Sequence, residues 1–172
     1  MAESFWVKVK ESNLQQGDYL TDCAVPIFRN PKFTPETQDI PVDEFDLIVL
    51  TQSCDLEQNK VRLVAMCPIF SIEAFEQKNP AFKKKGRWNE VRKGRMEGLH
   101  MLGAQNNPTN NREAFVVDFR EIYSLPFEYL FKHATELGAR WRLKSPFLEH
   151  FSQAFARFYM RVGLPSTIPE FQ

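Results

Sequence analysis

Four consecutive apolar residues, Leu47 to Leu50, give way abruptly to Thr51-Gln52-Ser53-Cys54-Asp55. A short apolar run bounded by polar residues fits a strand buried on both faces, and the pattern predicts a central strand here. It would end in a cluster of hydroxyl, amide, thiol and carboxylate groups at one edge of the core. The alternation from Trp6 to Lys10 predicts a first strand, and residues 13–18, with Gly17 inside, a turn. Residues 19–28 read as a second extended segment whose far end, at Pro26, lies on an edge because proline cannot donate to a ladder. Residues 30–44 hold three prolines and read as an exposed loop.

Residues 55–60 read as a polar turn and 61–69 as the next strand, after which Ser71 is placed to cap a short helix over 72–77. Residues 99–102 and 114–120 are two more strands, separated by a polar loop over 103–112. Residues 126–137 have a helical pattern with Ser124 as candidate cap and Gly138 as stop, and 139–144 form one more short extended piece. The periodicity is clearest at the end. Phe147, Leu148, Phe151, Phe155, Phe158, Tyr159 and Val162 share one helix face, with Ser145 as cap, Pro146 at the first helical position and Gly163 as stop.

The pattern predicts an α+β protein of one domain, residues 1–172. A small, bent, mostly antiparallel sheet or barrel would occupy 1–122, with a basic insertion at 78–95, and a helical part would occupy 123–172. The phenylalanine face of the last helix belongs on the sheet; its alternative use is a homodimer contact through helix 146–162, since a chain with 16 Phe has apolar surface to spare.

Composition narrows the function classes. The net charge is zero, so no global field draws the chain to nucleic acid. No apolar run reaches the ~18 residues of a membrane span, and the first residues lack the order of a signal peptide. Three widely spaced Cys suggest no disulfide framework, so a reducing cytoplasm is expected. Charge is nevertheless uneven. Between 78 and 95 eight basic side chains stand against one acid, Glu90.

Gly17-Asp18-Tyr19, the strand ending in Val49-Leu50-Thr51 and the strand closing in Pro68-Ile69-Phe70-Ser71 before a short helix together resemble the PemK/MazF toxin group over residues 15–80. The resemblance implies an SH3-like barrel and an RNA-cutting ancestry. It does not carry the chemistry. The family's Arg-Pro pair falls on Phe45 and Asp46, and its Thr or Ser after Pro-Ile falls on Phe70. Phenylalanine can neither stabilise a phosphoryl charge nor move a proton. The Thr51–Asp55 segment and the closing Phe-Ala-Arg-Phe-Tyr-Met-Arg-Val-Gly-Leu-Pro are similar to a group of bacterial proteins from mobile-element and phage-defence neighbourhoods.

The candidate chemistry follows from these readings. Lys83, Lys84, Lys85, Arg87, Arg92, Lys93 and Arg95 form a binding segment for RNA or an acidic protein, with the Trp88 indole available to stack on a base; the plain alternative is a solvated basic loop. Cys54, with Thr51, Ser53 and Asp55, is the alternative catalytic centre, of a toxin-like ribonuclease or a Cys-dependent hydrolase, and needs a base beside the thiol. Cys23, Cys54, Cys67 and His100 are an alternative zinc set, although no C-x-x-C pair is present. Asp18, Asp22, Asp55 and Glu57 are acidic candidates for acid–base or Mg²⁺ chemistry, against the ordinary role of turn formers. The leading expectation is a non-enzymatic adaptor of a bacterial stress or phage-defence system, with no cofactor.

Overall fold

The computed structural model describes residues 3–29, 34, 40–58 and 60–160. Most of the loop expected at 30–44 lies outside these, as do Val162 and the Gly163 stop. Among the described residues the chain forms eight strands and five α-helices: β1 (Trp6–Val9), β2 (Asp18–Pro26), β3 (Val42–Val49), α1 (Ser53–Glu57), β4 (Leu63–Ser71), α2 (Ile72–Lys78), α3 (Arg87–Arg92), β5 (Leu99–Leu102), β6 (Phe115–Asp118), β7 (Tyr123–Pro126), α4 (Phe127–Leu137), β8 (Arg140–Leu143) and α5 (Phe147–Tyr159). Short 3₁₀ turns occupy Pro80–Lys83 and Asn111–Glu113.

The protein is α+β, with one antiparallel sheet in the order β1-β8-β2-β3-β4-β6-β5, and β7 also on β4. β7 pairs with Leu63 to Met66 and β6 with Ile69 to Ser71, so the two lie in succession along one edge of β4. Between them residues 119–122 leave the ladder. The Cys67 thiol lies at that break, its one S–H within reach of the carbonyls of Asp118 (3.3 Å) and Glu121 (3.2 Å).

β3 lies at the centre, as its unbroken apolar run predicts. Alternate side chains of a strand point to opposite faces. Leu47 and Val49 join Leu20, Cys23, Met66 and Leu125 under Leu130 and Ala134 of α4. Ile48, with Leu50 just beyond the strand, joins Tyr19, Cys67, Ile69, Val117 and Phe119 under Phe151 of α5. Each helix therefore roofs one face, and no polar position is needed in the run. On α5, Phe151 is fully buried and Phe155 and Phe158 are half-buried, all ringed around Phe119. Of the face considered for a homodimer through helix 146–162, Phe151 is taken up inside the chain, Phe155 and Phe158 partly so, and Tyr159 is exposed.

The sheet path is open, yet strongly curled. The Trp6 indole of edge strand β1 donates to the carbonyl of Gly103, just past the other edge strand β5, at 2.7 Å. A Cβ on Gly103 would fall 2.7 Å from the Phe5 ring, so a side chain there would have to displace that ring. A bulge in β2 between Leu20 and Cys23 adds to the bend. Asp22 takes a positive φ there, and Asp46 holds the bulge by accepting from the Asp22 N–H (3.1 Å) and the Tyr19 hydroxyl (2.7 Å).

Several expected elements are placed differently. The polar turn at 55–60 is preceded and partly replaced by α1, a helix of five residues too short to show a period. Ser124 caps nothing: it pairs with Ala65 in β7, and α4 starts after Pro126. Ser145 does not cap α5, whose N-cap is Pro146. Residues 123–160 are not only helical, because β7 and β8 both belong to the sheet. The basic insertion at 78–95, whose plain alternative was a solvated loop, is folded as the Pro80–Lys83 turn and α3.

Candidate functional site

The basic segment is built on a small core of its own. Ser71 starts α2 by accepting from the Ala74 N–H (3.1 Å). That helix buries Phe75, which meets Phe82 edge-on at 5.0 Å and Trp88 at 5.7 Å. Val91 of α3, Leu99 and Val116 complete the cluster. Gly86 takes φ +91 to turn the chain from Lys85 into α3, a conformation L-residues avoid.

Trp88 is therefore not a free stacking platform. Its ring packs between Phe75 and Phe82, and its N–H donates to Glu76 at 2.8 Å. Arg112 forks onto the same carboxylate at 2.9 and 3.1 Å. These bonds, Arg112 first and Trp88 second, hold Glu76 below the usual carboxylate range. The indole anchors the segment and, half-buried, also lines the recess beside Asn89 and Arg112.

The remaining basic residues meet the expectation of exposure. Lys83, Lys84, Lys85, Arg87, Arg92, Lys93 and Arg95 are all exposed. Arg95 pairs with Glu90 at 3.4 Å. Among the described residues the other six form no ion pair with a carboxylate. The result is a positively charged ridge on a fixed backbone.

Beside the ridge lies a cleft of about 250 Å³, lined by residues of β5, the loop after it, Arg92 of α3, and Phe147 and His150 of α5. Phe5 and Phe147 stack in its wall with centroids 3.7 Å apart. No acidic residue lines it. A smaller recess of about 130 Å³, bounded by Trp88, Asn89 and Arg112, adjoins it and shares Arg92, Met101 and Asn111 with it. His100 packs against Phe119 and Phe151. Burial, and after it the neighbouring His150, lower the His100 pKa to about 4, so the ring is neutral at pH 7. Sequence reasoning named Arg92 but missed His150 and Asn111, and took His100 only as a zinc ligand. No spacing connects these four positions, which meet only through the fold.

A recess of about 390 Å³ lies on the α4 side between Asn13, Leu14, Glu57, Phe127 and Glu128. It has two carboxylates and no basic residue at its rim, so it does not extend the ridge.

The Thr51–Asp55 segment acts as a set of staples. The Thr51 hydroxyl accepts from the Ala65 N–H at 2.8 Å, and the Ser53 hydroxyl accepts from the Gln16 N–H at 3.1 Å. Cys54 is exposed, with its sulfur 3.8 Å from the Gln52 side-chain oxygen and 4.0 Å from Asp55. All three histidines are engaged elsewhere: His133 on the Thr21 carbonyl at 2.7 Å, His100 and His150 at the cleft. That leaves the Asp55 carboxylate, 4.0 Å from the sulfur, as the candidate base beside this thiol. Asp18, one of the acidic candidates, is fully buried and paired with Arg140 and Arg142.

The zinc alternative is corrected as well. Cys23 is buried on the α4 face, Cys67 on the α5 face, and Cys54 lies outside both. Among the described residues no three His, Cys, Asp or Glu side chains come close enough to hold a metal ion. Burial, then Asp46 and Asp22, push the Cys23 thiol up to about 12; burial, then Asp118 and Glu121, raise Cys67. Reactivity needs the thiolate and access. An aromatic disulfide reagent at pH 8 is therefore expected to titrate one thiol, Cys54, in the native protein and three after denaturation. Cys54→Ser should leave no fast-reacting thiol.

No protein-family model matches this chain, and no curated protein does so either. Among the described residues no helix is long and apolar enough to cross a membrane.

Proposed function

We propose that this chain is a non-enzymatic binding module that holds RNA along the ridge Lys83–Arg95, as an adaptor in a bacterial stress or phage-defence system. One observation carries the reading: a segment dense in unpaired positive charge is pinned in place by its own aromatic core. Ordering a residue costs about 1–2 kcal/mol in backbone entropy. A loop needed only for solubility gains nothing from that ordering, and its charges repel one another more when held together. Ordering is useful if the charges must meet a partner in a fixed pattern. RNA is favoured over an acidic protein by the neighbouring acid-free cleft with its Phe5–Phe147 wall, since single-stranded nucleic acid is held by a charged track together with aromatic surfaces.

The curled sheet, whose two edges meet at Trp6 and Gly103, supports reading the core as an incomplete SH3-like barrel akin to the PemK/MazF group. Phe45 and Phe70 at the group's catalytic positions support binding without cleavage. Phe45 packs on Tyr123 at 5.2 Å and Phe70 on Phe75 at 5.7 Å, both structural roles.

The test is fluorescence anisotropy with a labelled single-stranded RNA. Reversing Lys83, Lys84, Lys85 and Arg87 to Glu is expected to weaken binding by about two orders of magnitude or more, because each lost phosphate contact also forfeits counterion release. Cys54→Ser should bind as the parent does. Retention of RNA by the charge-reversed protein would overturn the reading. Binding of a polyglutamate peptide in place of RNA would replace it with the acidic-protein reading. Cleavage of the RNA lost in Cys54→Ser would replace it with the enzyme reading.

A further inference from the structure

We propose that the cleft between α3 and α5 is a nucleotide pocket, in which Arg92 takes the phosphate of a nucleoside phosphate and the Phe5–Phe147 wall takes its base. The inference deepens the ridge reading and rests on it for the choice of ligand. Four polar side chains line this space, three of them exposed, and among the described residues Arg92, His100, Asn111 and His150 make no side-chain hydrogen bond or ion pair within the protein. Convergent polar groups in a largely apolar pocket are the usual form of a small-molecule site.

Charge selects the ligand's sign. Arg92 is the only permanently charged group of the lining, and no carboxylate opposes it. Arginine presents a planar fork of donors that matches the oxygens of a phosphate. Shape selects the rest. About 250 Å³ is below the ~300–1,000 Å³ typical of sites for drug-sized ligands, so the cleft takes the base, with the ribose and phosphate at its mouth beside the exposed Arg92. Phe5 and Phe147 stack on each other, 13° from parallel, so a base would meet the edges and outer faces of this pair rather than insert between the rings.

His100 gives the pocket a means of reading a base. A neutral imidazole carries one donor and one acceptor. It remains neutral because it is packed under Phe119 and Phe151. The Asn111 amide adds two donors and an acceptor. Both suit the mixed donor and acceptor edges of nucleobases rather than a simple anion. The nucleotide can be free or can be the terminal residue of the strand on the ridge, because Arg92 belongs to both surfaces.

Titration calorimetry and amide chemical-shift mapping with AMP, UMP and inorganic phosphate test this directly. A nucleoside monophosphate is expected to bind and to shift resonances of residues 99–103, 111 and 150, with inorganic phosphate at least tenfold weaker. Arg92→Ala and Asn111→Ala should each weaken the nucleotide by about tenfold while leaving thermal melting unchanged. A 5′-phosphorylated tetranucleotide binding more tightly than AMP would identify a strand end as the source, and equal affinity would identify the free nucleotide. The protein with Lys83, Lys84 and Lys85 reversed to Glu separates the two proposals: it should keep AMP and lose long RNA. Long RNA bound with no shifts from AMP at millimolar concentration would overturn the pocket and leave the ridge standing. AMP binding that survives Arg92→Ala unchanged would also overturn the pocket.

Discussion

Asp18→Ala is expected to cost about 3–5 kcal/mol of folding stability, the range for removing one partner of a buried ion pair. Asp18 is 0% exposed and Arg140 3%. The Asp18 carboxylate accepts from the Arg140 Nε–H (2.9 Å), from two donors of Arg142 and from the Gln15 N–H (3.0 Å). Arg140 also donates to the carbonyls of Glu11 (2.6 Å) and Asn13 (2.5 Å), while Arg142 pairs with the Glu11 carboxylate. The set balances two positive against two negative charges and ties residues 11–18 to β8. Without Asp18 two guanidinium groups stay buried against one partly exposed acid. Asp18→Asn should lose less, because the amide keeps an acceptor and the shape. Urea denaturation measures both. A loss below about 1 kcal/mol for Asp18→Ala would mean that the pair is not closed in solution.

Phe119→Ala is expected to cost a further independent ~3–5 kcal/mol, as a large ring removed from a closed core leaves a cavity that the surroundings fill only in part. Phe119 is 1% exposed and touches Phe151 (5.6 Å), Phe155 (5.5 Å), Phe158 (6.4 Å) and His100 (6.0 Å). It is the point on which α5 rests. Loosening α5 exposes His100 to water, so its pKa should rise from about 4 toward the unperturbed 6.5. The sign for stability follows. In the parent the unfolded chain binds a proton at His100 below about pH 6.5 while the folded chain stays neutral down to about 4. Stability therefore falls as pH drops through that window, by up to about 3 kcal/mol. The Phe119→Ala protein, already weaker, should show a shallower fall. An equal slope in both proteins would place His100 outside the α5 core.

The same facts explain what could be read from the chain. The run Leu47–Leu50 was legible because a strand buried on both faces leaves no polar position to confuse its pattern, and α5 because its phenylalanines recur at helical spacing over three turns. The Ser71 cap was legible from residue type alone. α3 was not, since six residues with Trp88 and Val91 as the only apolar side chains show no face. What fixes it is Phe75, Phe82 and Leu99, none of them on α3. The anchoring contacts of Trp88 were not legible for the same reason: it stands amid charges, and its partners are invisible in the local pattern. The pairing of Asp18 with Arg140 and Arg142 spans more than 120 positions, beyond any periodicity. The cleft draws on five separate stretches, so only the folded sheet brings Arg92, His100, Asn111 and His150 together.

The ridge as an electrostatic track for RNA is tested most directly by the salt dependence of its affinity. With single-stranded RNA between 50 and 200 mM salt, log Kd plotted against log salt should be straight, with a slope of about 0.7 for each phosphate engaged. Reversing Lys83, Lys84, Lys85 and Arg87 should reduce that slope by about 3. A flat line for the parent protein, or the same slope for both proteins, would contradict the role assigned to the ridge.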